Sequence, residues 1–217
     1  DLDPYWPDIT WHHLLQHYGG FVRDPMGADR EVRDLLTAII PGKTVTLPVS
    51  LENIHEYMRR LGVEQEPGLD RVYSNYGYSL LGRLIERASG MTYEEYVQAR
   101  ILDPLCIDSM RIGSSFPTAG EVEYEDSRHR LRRTVMAEEE DTWVPRTTGG
   151  FNLANYDAHG GWTGTVVDLA ALLASISDTS ASPILCESSI DTMFSSRSGE
   201  PRSEEHTSEL QSHSDLV

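Results

Sequence analysis

A mainly helical fold follows from three stretches of the 217-residue chain. In the first, Tyr76, Leu80, Leu81, Leu84, Ile85 and Ala88 recur at helical spacing and predict one apolar face of a buried helix. In the second, Ser50 is placed to cap a helix carrying Leu51, Ile54, Met58 and Leu61 on one face, with Gly62 as its stop. In the third, Thr165 and Asp168 form a capping-box pattern ahead of Leu169, Leu172, Leu173 and Ile176, which predict another buried stripe.

The remaining elements read as follows. Thr10 is placed to cap a short helix with Trp11, Leu14 and Leu15 as its apolar residues, stopped by Gly19-Gly20. Residues 21–49 are mixed and polar, punctuated by Pro25, Gly27, Pro41 and Gly42. Pro67-Gly68 marks a turn, Asn75 is expected as the N-cap of the next helix, and Gly90 as its C-terminal stop. Thr92 with Glu95 forms a capping box for a further helix, which Asp103-Pro104 is expected to end, because a residue before proline avoids helical geometry. From Gly113 to Asp141 the chain reads as a loop region with charges in blocks: acidic at Glu121 to Asp126, basic at Arg128 to Arg133, acidic at Glu138 to Asp141. Such blocks predict a solvated surface with local ion pairs.

Composition excludes several functions. The formal charge of −17 argues against a nucleic-acid partner, since phosphate binding wants a basic face. No apolar run approaches the length of a membrane span, and no signal-peptide pattern is visible at Asp1. The two cysteines, Cys106 and Cys186, form no metal pattern and are expected as free, partly buried thiols. His13 and His17 have the spacing of a metal pair on one helical face, but no third ligand accompanies them and no metal site is expected. The run PGKT is not a phosphate loop, because Thr37 stands where that motif needs its first glycine.

The stretch that carries chemistry is Tyr73-Ser74-Asn75, a Tyr-x-Asn pattern feeding straight into a buried helix. On its own it is equally a buried tyrosine plus a capping asparagine. The longer run is more specific: Pro67, Gly68, Tyr73-Ser74-Asn75, Gly77-Tyr78, Leu80-Leu81-Gly82, Ile85-Glu86 and Ser89-Gly90. Together these residues resemble the segment P-G-x-x-x-x-Y-S-N-x-G-Y-x-L-L-G-x-x-I-E-x-x-S-G of the serine β-lactamase-like superfamily, in its branch of class C β-lactamases, D-alanyl-D-alanine carboxypeptidases and related esterases. Two more stretches are similar to the same family. One is Ile9-Thr10, His13-Leu14-Leu15, His17 and Gly20, with Gly19 where the family has serine. The other is Ala158, Gly160-Gly161, Asp168-Leu169-Ala170 and Leu173. This second block assigns His159-Gly160-Gly161 to a helix entry, not to the family's third motif. After Leu105 the family usually has glycine where this chain has Cys106.

The resemblance implies an α+β, β-lactamase/transpeptidase-like fold, here incomplete: mostly the helical subdomain, with the N- and C-terminal sheet strands missing. It implies a serine hydrolase that acts through an acyl-enzyme on β-lactam, D-Ala peptide or ester substrates, with no cofactor. Tyr73 would be the general base or proton relay, and Asn75 would bind the substrate amide. The nucleophile motif Ser-x-x-Lys is absent, because the chain has one lysine, Lys43, and Ile40 stands three residues before it. The chain as written is therefore expected to be inactive, the alternative being a family member that serves as a binding or regulatory module. The resemblance also suggests an exported or periplasmic parent protein. Residues 1–201 are assigned to this partial domain. Residues 202–217, which read like a translated sequencing-library adapter, are expected to be a non-native, disordered tail.

Overall fold

A computed structural model of the chain describes residues 3–136, 142–177 and 182–195. The chain divides into two compact units, residues 1–166 and 167–217. The tail from residue 202 and the acidic block Glu138 to Asp141 lie outside the described residues.

The first unit is built on helices. They are α1 (Trp11–Leu15), α2 (Asp29–Ile39), α3 (Leu51–Leu61), α4 (Asn75–Ser89) and α5 (Tyr93–Val97). Its described strands are short and antiparallel: β1 (Arg111–Ile112) pairs with β4 (Trp162–Thr163), and β2 (Leu131–Arg133) with β3 (Trp143–Pro145). The core gathers Leu14 of α1, Val32 and Leu36 of α2, Ile54, Tyr57 and Met58 of α3, and Tyr76 of α4 around Phe21, Val45, Leu47, Val49 and Val63.

Local signals account for these helices. In α3, the Ser50 hydroxyl accepts the Asn53 N–H and Gly62 closes the helix at φ +81°. In α5, Thr92 and Glu95 form the reciprocal capping box. At the end of α4, Gly90 adopts the left-handed conformation. Helix α2 lies in the stretch expected to be irregular. Its spacing of Val32, Leu35, Leu36 and Ile39 is helical, but Ala28 at its N-cap makes no side-chain cap hydrogen bond, so no start signal marks it.

Several expectations need correction. The buried side of α4 is Tyr76, Gly77, Ser79 and Gly82, while Leu84 and Ala88 are exposed. Small residues let a neighbour approach there: a Cβ on Gly82 would lie 2.6 Å from the Ala158 Cβ. Asp103-Pro104 does not end the helical run. After α5 the chain widens into a π turn (Gln98–Leu102) and tightens into a 3-10 turn (Asp103–Leu105), whose first turn tolerates Pro104 because the missing N–H is not needed there. Both cysteines are free, as expected, but exposed rather than partly buried.

The run ends at Cys106 in the left-handed region, φ +54°. A Cβ is disfavoured there by about 1 kcal/mol, which accounts for a glycine preference at this place. Cys106→Gly is therefore expected to raise the denaturation midpoint, the gain being reduced by the greater freedom of glycine in the unfolded chain. A lowered midpoint in urea would show that contacts of the thiol outweigh the strain.

In the loop region, Arg130 pairs with Asp126 at 2.7 Å and Arg133 lies over the Trp143 ring at 5.9 Å, the local pairing expected of its charge blocks. The helix α6 (Val166–Ser177) begins at the division between the units, and α7 (Glu187–Phe194) lies in the second. The expected buried stripe of α6 is not formed: Leu172 and Ile176 are half-buried, and Leu169 and Leu173 are exposed together with Val166 and Val167. The helix carries apolar residues on all its sides, and the Leu169 and Leu173 side is exposed.

Candidate active site at the start of α4

The turn at Pro67-Gly68 delivers the chain to the site. Gly68, at φ +86°, donates its N–H to the Tyr18 carbonyl at 2.8 Å, and Val72 N–H donates to the His17 carbonyl at 2.9 Å. The approach to Tyr73 is thus fastened to the segment that follows α1. Ser74 is extended (φ −141°, ψ 113°) and its hydroxyl accepts the Gly77 N–H at 3.0 Å. Ser74, not Asn75, is therefore the N-cap of α4. The expectation missed by one residue, because serine and asparagine cap equally well and only the backbone decides between them.

Asn75 is instead the first residue of the helix. Its N–H donates to Asp24 Oδ2 at 2.6 Å, while Asp24 Oδ1 accepts the Met26 N–H at 3.0 Å. One carboxylate thus closes its own turn and holds the helix start. With its backbone satisfied from behind, Asn75 turns its side chain to Tyr73, whose hydroxyl donates to Asn75 Oδ1 at 3.1 Å. The triplet alternates as an extended segment must. Tyr73 is 61% exposed, and Ser74 between it and Asn75 is 4% exposed.

Three rings form a stack beside this pair. His17 lies 4.6 Å from the Tyr73 ring centroid and 5.0 Å from that of Tyr78. Tyr78 is fixed by donating its hydroxyl to the Leu15 carbonyl at 2.9 Å. Burial pushes the Tyr78 phenol up from its ordinary range, with the nearby Tyr73 adding to the shift and Arg71 opposing it. His17 and His13 do not form the helical pair that their spacing suggests. Helix α1 stops at Leu15, and His17 sits beyond it at φ +62°. The His13 Nδ1 accepts the Thr10 N–H at 3.4 Å, completing a capping box. Trp11 and Leu15, expected among the apolar contacts of α1, are exposed; only Leu14 is buried. The PGKT run is a turn after α2, where Lys43 N–H donates to the Ile40 carbonyl at 3.1 Å.

Two further titratable groups lie in the same unit, Asp29 buried and His159 half-buried. His159 stacks on Tyr156 at 4.6 Å, and neither of its ring nitrogens has a hydrogen-bond partner among the described residues. Burial lowers it from 6.5 to about 4, against the opposing charge of Asp24. Asp29, at the start of α2, is raised from 3.8 to about 6 by burial, although backbone N–H groups of Asp29 and Val49 favour its charged form. The two contributions have opposite signs. Between pH 6.5 and about 4 the unfolded chain protonates at His159 before the folded chain does, so stability from this group is lost as pH falls. Between about 6 and 3.8 the folded chain holds the Asp29 proton more tightly, so stability from this group is lost as pH rises. Asp29→Asn is expected to make unfolding easier on acidification through this window, and His159→Gln to make it harder. Identical pH slopes of the urea midpoint in both variants would refute the assignment.

The structure therefore joins the two residues that the sequence singles out, Tyr73 and Asn75, and adds Asp24, the His17 ring and Tyr78. Among the described residues there is no cluster of three or more His, Cys, Asp or Glu side chains able to hold a metal ion, and no helix long and apolar enough to cross a membrane.

Comparison with known proteins agrees with the motif. A segment of 92 residues, 42% of this chain and 19% of the relative, is 33% identical to the Escherichia coli protein named "Putative D-alanyl-D-alanine carboxypeptidase". Among solved structures, the octameric penicillin-binding protein homologue from Pyrococcus abyssi superposes with a TM-score of 0.56 at 28% identity, over 92% of this chain and 42% of that one. A D-stereospecific amidohydrolase from Streptomyces sp. shares the fold with a TM-score of 0.60 at 17% identity, over 89% of this chain and 53% of that one. The chain thus spans about half or less of the length of these proteins. The family model described as Beta-lactamase matches residues 1–211, and the chain belongs to that family, within the serine β-lactamase-like superfamily, with a β-lactamase/transpeptidase-like fold.

Proposed function

We propose that the chain is the helical part of a longer serine hydrolase that acts on β-lactam, D-Ala peptide or small ester substrates through an acyl-enzyme. Residues 1–201 would belong to one partial hydrolase domain, with 202–217 as a tail outside it. The observation that carries this reading is the exposed Tyr73 hydroxyl bonded to Asn75 Oδ1 on the solvent side of a buried cap. A phenol held there is placed to take a proton from an incoming nucleophile. Asn75, whose Oδ1 faces Tyr73, keeps its amide N–H groups for an acyl carbonyl or substrate amide. A nearby positive charge favours a phenolate, and a phenol acting as base needs one. The lysine of a Ser-x-x-Lys motif would supply it, and that motif is not among these 217 residues. The uncovered apolar side of α6 supports the same reading, since a sheet from the rest of such a protein would cover it.

The test is labelling with a fluorescent penicillin and a fluorophosphonate. The 217-residue chain is expected to take no label and to show no serine-reagent-sensitive ester hydrolysis. The longer protein with upstream sequence is expected to be labelled at a serine followed three residues later by lysine. If the native upstream sequence holds no such motif, the chain is a binding or regulatory member of the family.

A further inference from the structure

We infer that His17 is a positioning residue for Tyr73, an inference that rests on the reading of Tyr73 as the base. His17 is the residue at φ +62° immediately beyond α1, a conformation that side chains with a Cβ seldom adopt. Held in that conformation, it grips the Tyr73 segment from both sides. Its carbonyl accepts the Val72 N–H at 2.9 Å, and its Nδ1 accepts the Ser74 N–H at 3.2 Å. The amides on either side of Tyr73 are thus both bonded to one residue. Between these two bonds the imidazole lies against the Tyr73 ring, inclined by 38° at 4.6 Å.

The other ring contact completes the device. The imidazole also meets Tyr78 at 5.0 Å, inclined by 34°. Tyr78 is anchored to the Leu15 carbonyl, so the stack has a fixed base. Tyr73 is its exposed end. An exposed tyrosine can sample several χ1 rotamers, and the one seen here holds its hydroxyl 3.1 Å from Asn75 Oδ1. A ring contact of this kind shifts that balance by roughly 2- to 10-fold. His17 therefore sets how often the phenol is ready, without touching substrate.

His17→Asn separates this role from a structural one. Asparagine tolerates the left-handed conformation, and its Oδ1 can replace Nδ1 as acceptor for Ser74, but it has no ring. In the 217-residue chain, the variant is expected to fold and to keep the Ser74 amide protected from solvent exchange. Tyr73 in that variant is expected to show averaged χ1 couplings by NMR, against a single rotamer in the wild type. Averaged couplings in the wild type, a single Tyr73 rotamer in His17→Asn, or failure of His17→Asn to fold would each overturn the inference. In the longer protein that carries the nucleophile, His17→Asn is expected to lower kcat 2- to 10-fold with KM unchanged, and to do nothing further in a Tyr73→Phe background. Additive losses would overturn it. If Tyr73→Phe leaves turnover intact, the reading of Tyr73 as base fails, while the rotamer data still decide whether His17 positions the ring.

Discussion

Tyr73→Phe in the longer protein is expected to lower acyl transfer by roughly 10²- to 10⁴-fold, the usual contribution of a positioned acid–base group, while leaving the fold in place. The second half of this expectation comes from the geometry. The phenyl ring keeps its contact with His17 at 4.6 Å, and the hydroxyl bonds to Asn75 Oδ1 on an exposed surface. Losing such a bond costs about 0.5–1 kcal/mol, because water replaces the partner. Steady-state turnover of an ester substrate and a thermal melt by circular dichroism together check the prediction. A large loss of turnover with an unchanged melt supports Tyr73 as base, whereas near-normal turnover refutes it. A variant that both melts early and loses turnover would place Tyr73 in the framework instead.

Gly20→Ala is expected to be the most destabilising single substitution near the site, by about 3–5 kcal/mol, the range of severe packing and backbone conflicts. Gly20 sits at φ +80°, and an added Cβ would lie 2.2 Å from the Gln65 carbonyl oxygen and 2.7 Å from Val63 Cγ1. The oxygen cannot swing aside as a side-chain end could. The Gly20 carbonyl itself accepts the N–H groups of Glu64 at 3.1 Å and Gln65 at 3.2 Å, so the two backbones are pinned together. Gly42 provides the control. Its φ is +75°, but a Cβ there meets nothing within 4 Å, so Gly42→Ala is expected to cost only about 1 kcal/mol. Equal urea midpoints for the two variants would show that backbone strain alone, and not the contact with residue 65, sets the cost. Because Gly20 follows the bonds from Tyr18 to Gly68 and from His17 to Val72, its loss is expected to loosen Tyr73 as well.

What the sequence showed and what it hid differ by range. Helices α3 and α5 were legible because Ser50, Gly62, Thr92 and Glu95 act within one turn of their own helix. Helix α2 was not, because Ala28 gives no capping signal and the surrounding prolines and glycines suggested a loop. The strands, two or three residues long, are too short for any alternation to register. Within the site, Tyr73 and Asn75 were legible as a motif. Asp24 was not: an Asp-Pro pair predicts its local turn, but nothing in it predicts a bond to an amide 51 residues away. The ring stack was hidden for the same reason, and helical spacing actively misled at His17, which lies just past the point where α1 stops.

The cap at Ser74 bears on how any covalent probe of this family member is interpreted. Its hydroxyl is 4% exposed and already occupied by the Gly77 N–H. Its segment turns Tyr73 and Asn75, which bond to each other, to the opposite side. The serine at the middle of the motif is therefore chemically silent. A reagent adduct mapped to Ser74 itself would report opened, damaged protein rather than turnover, and the fraction of molecules modified there measures how much of a preparation has lost the start of α4.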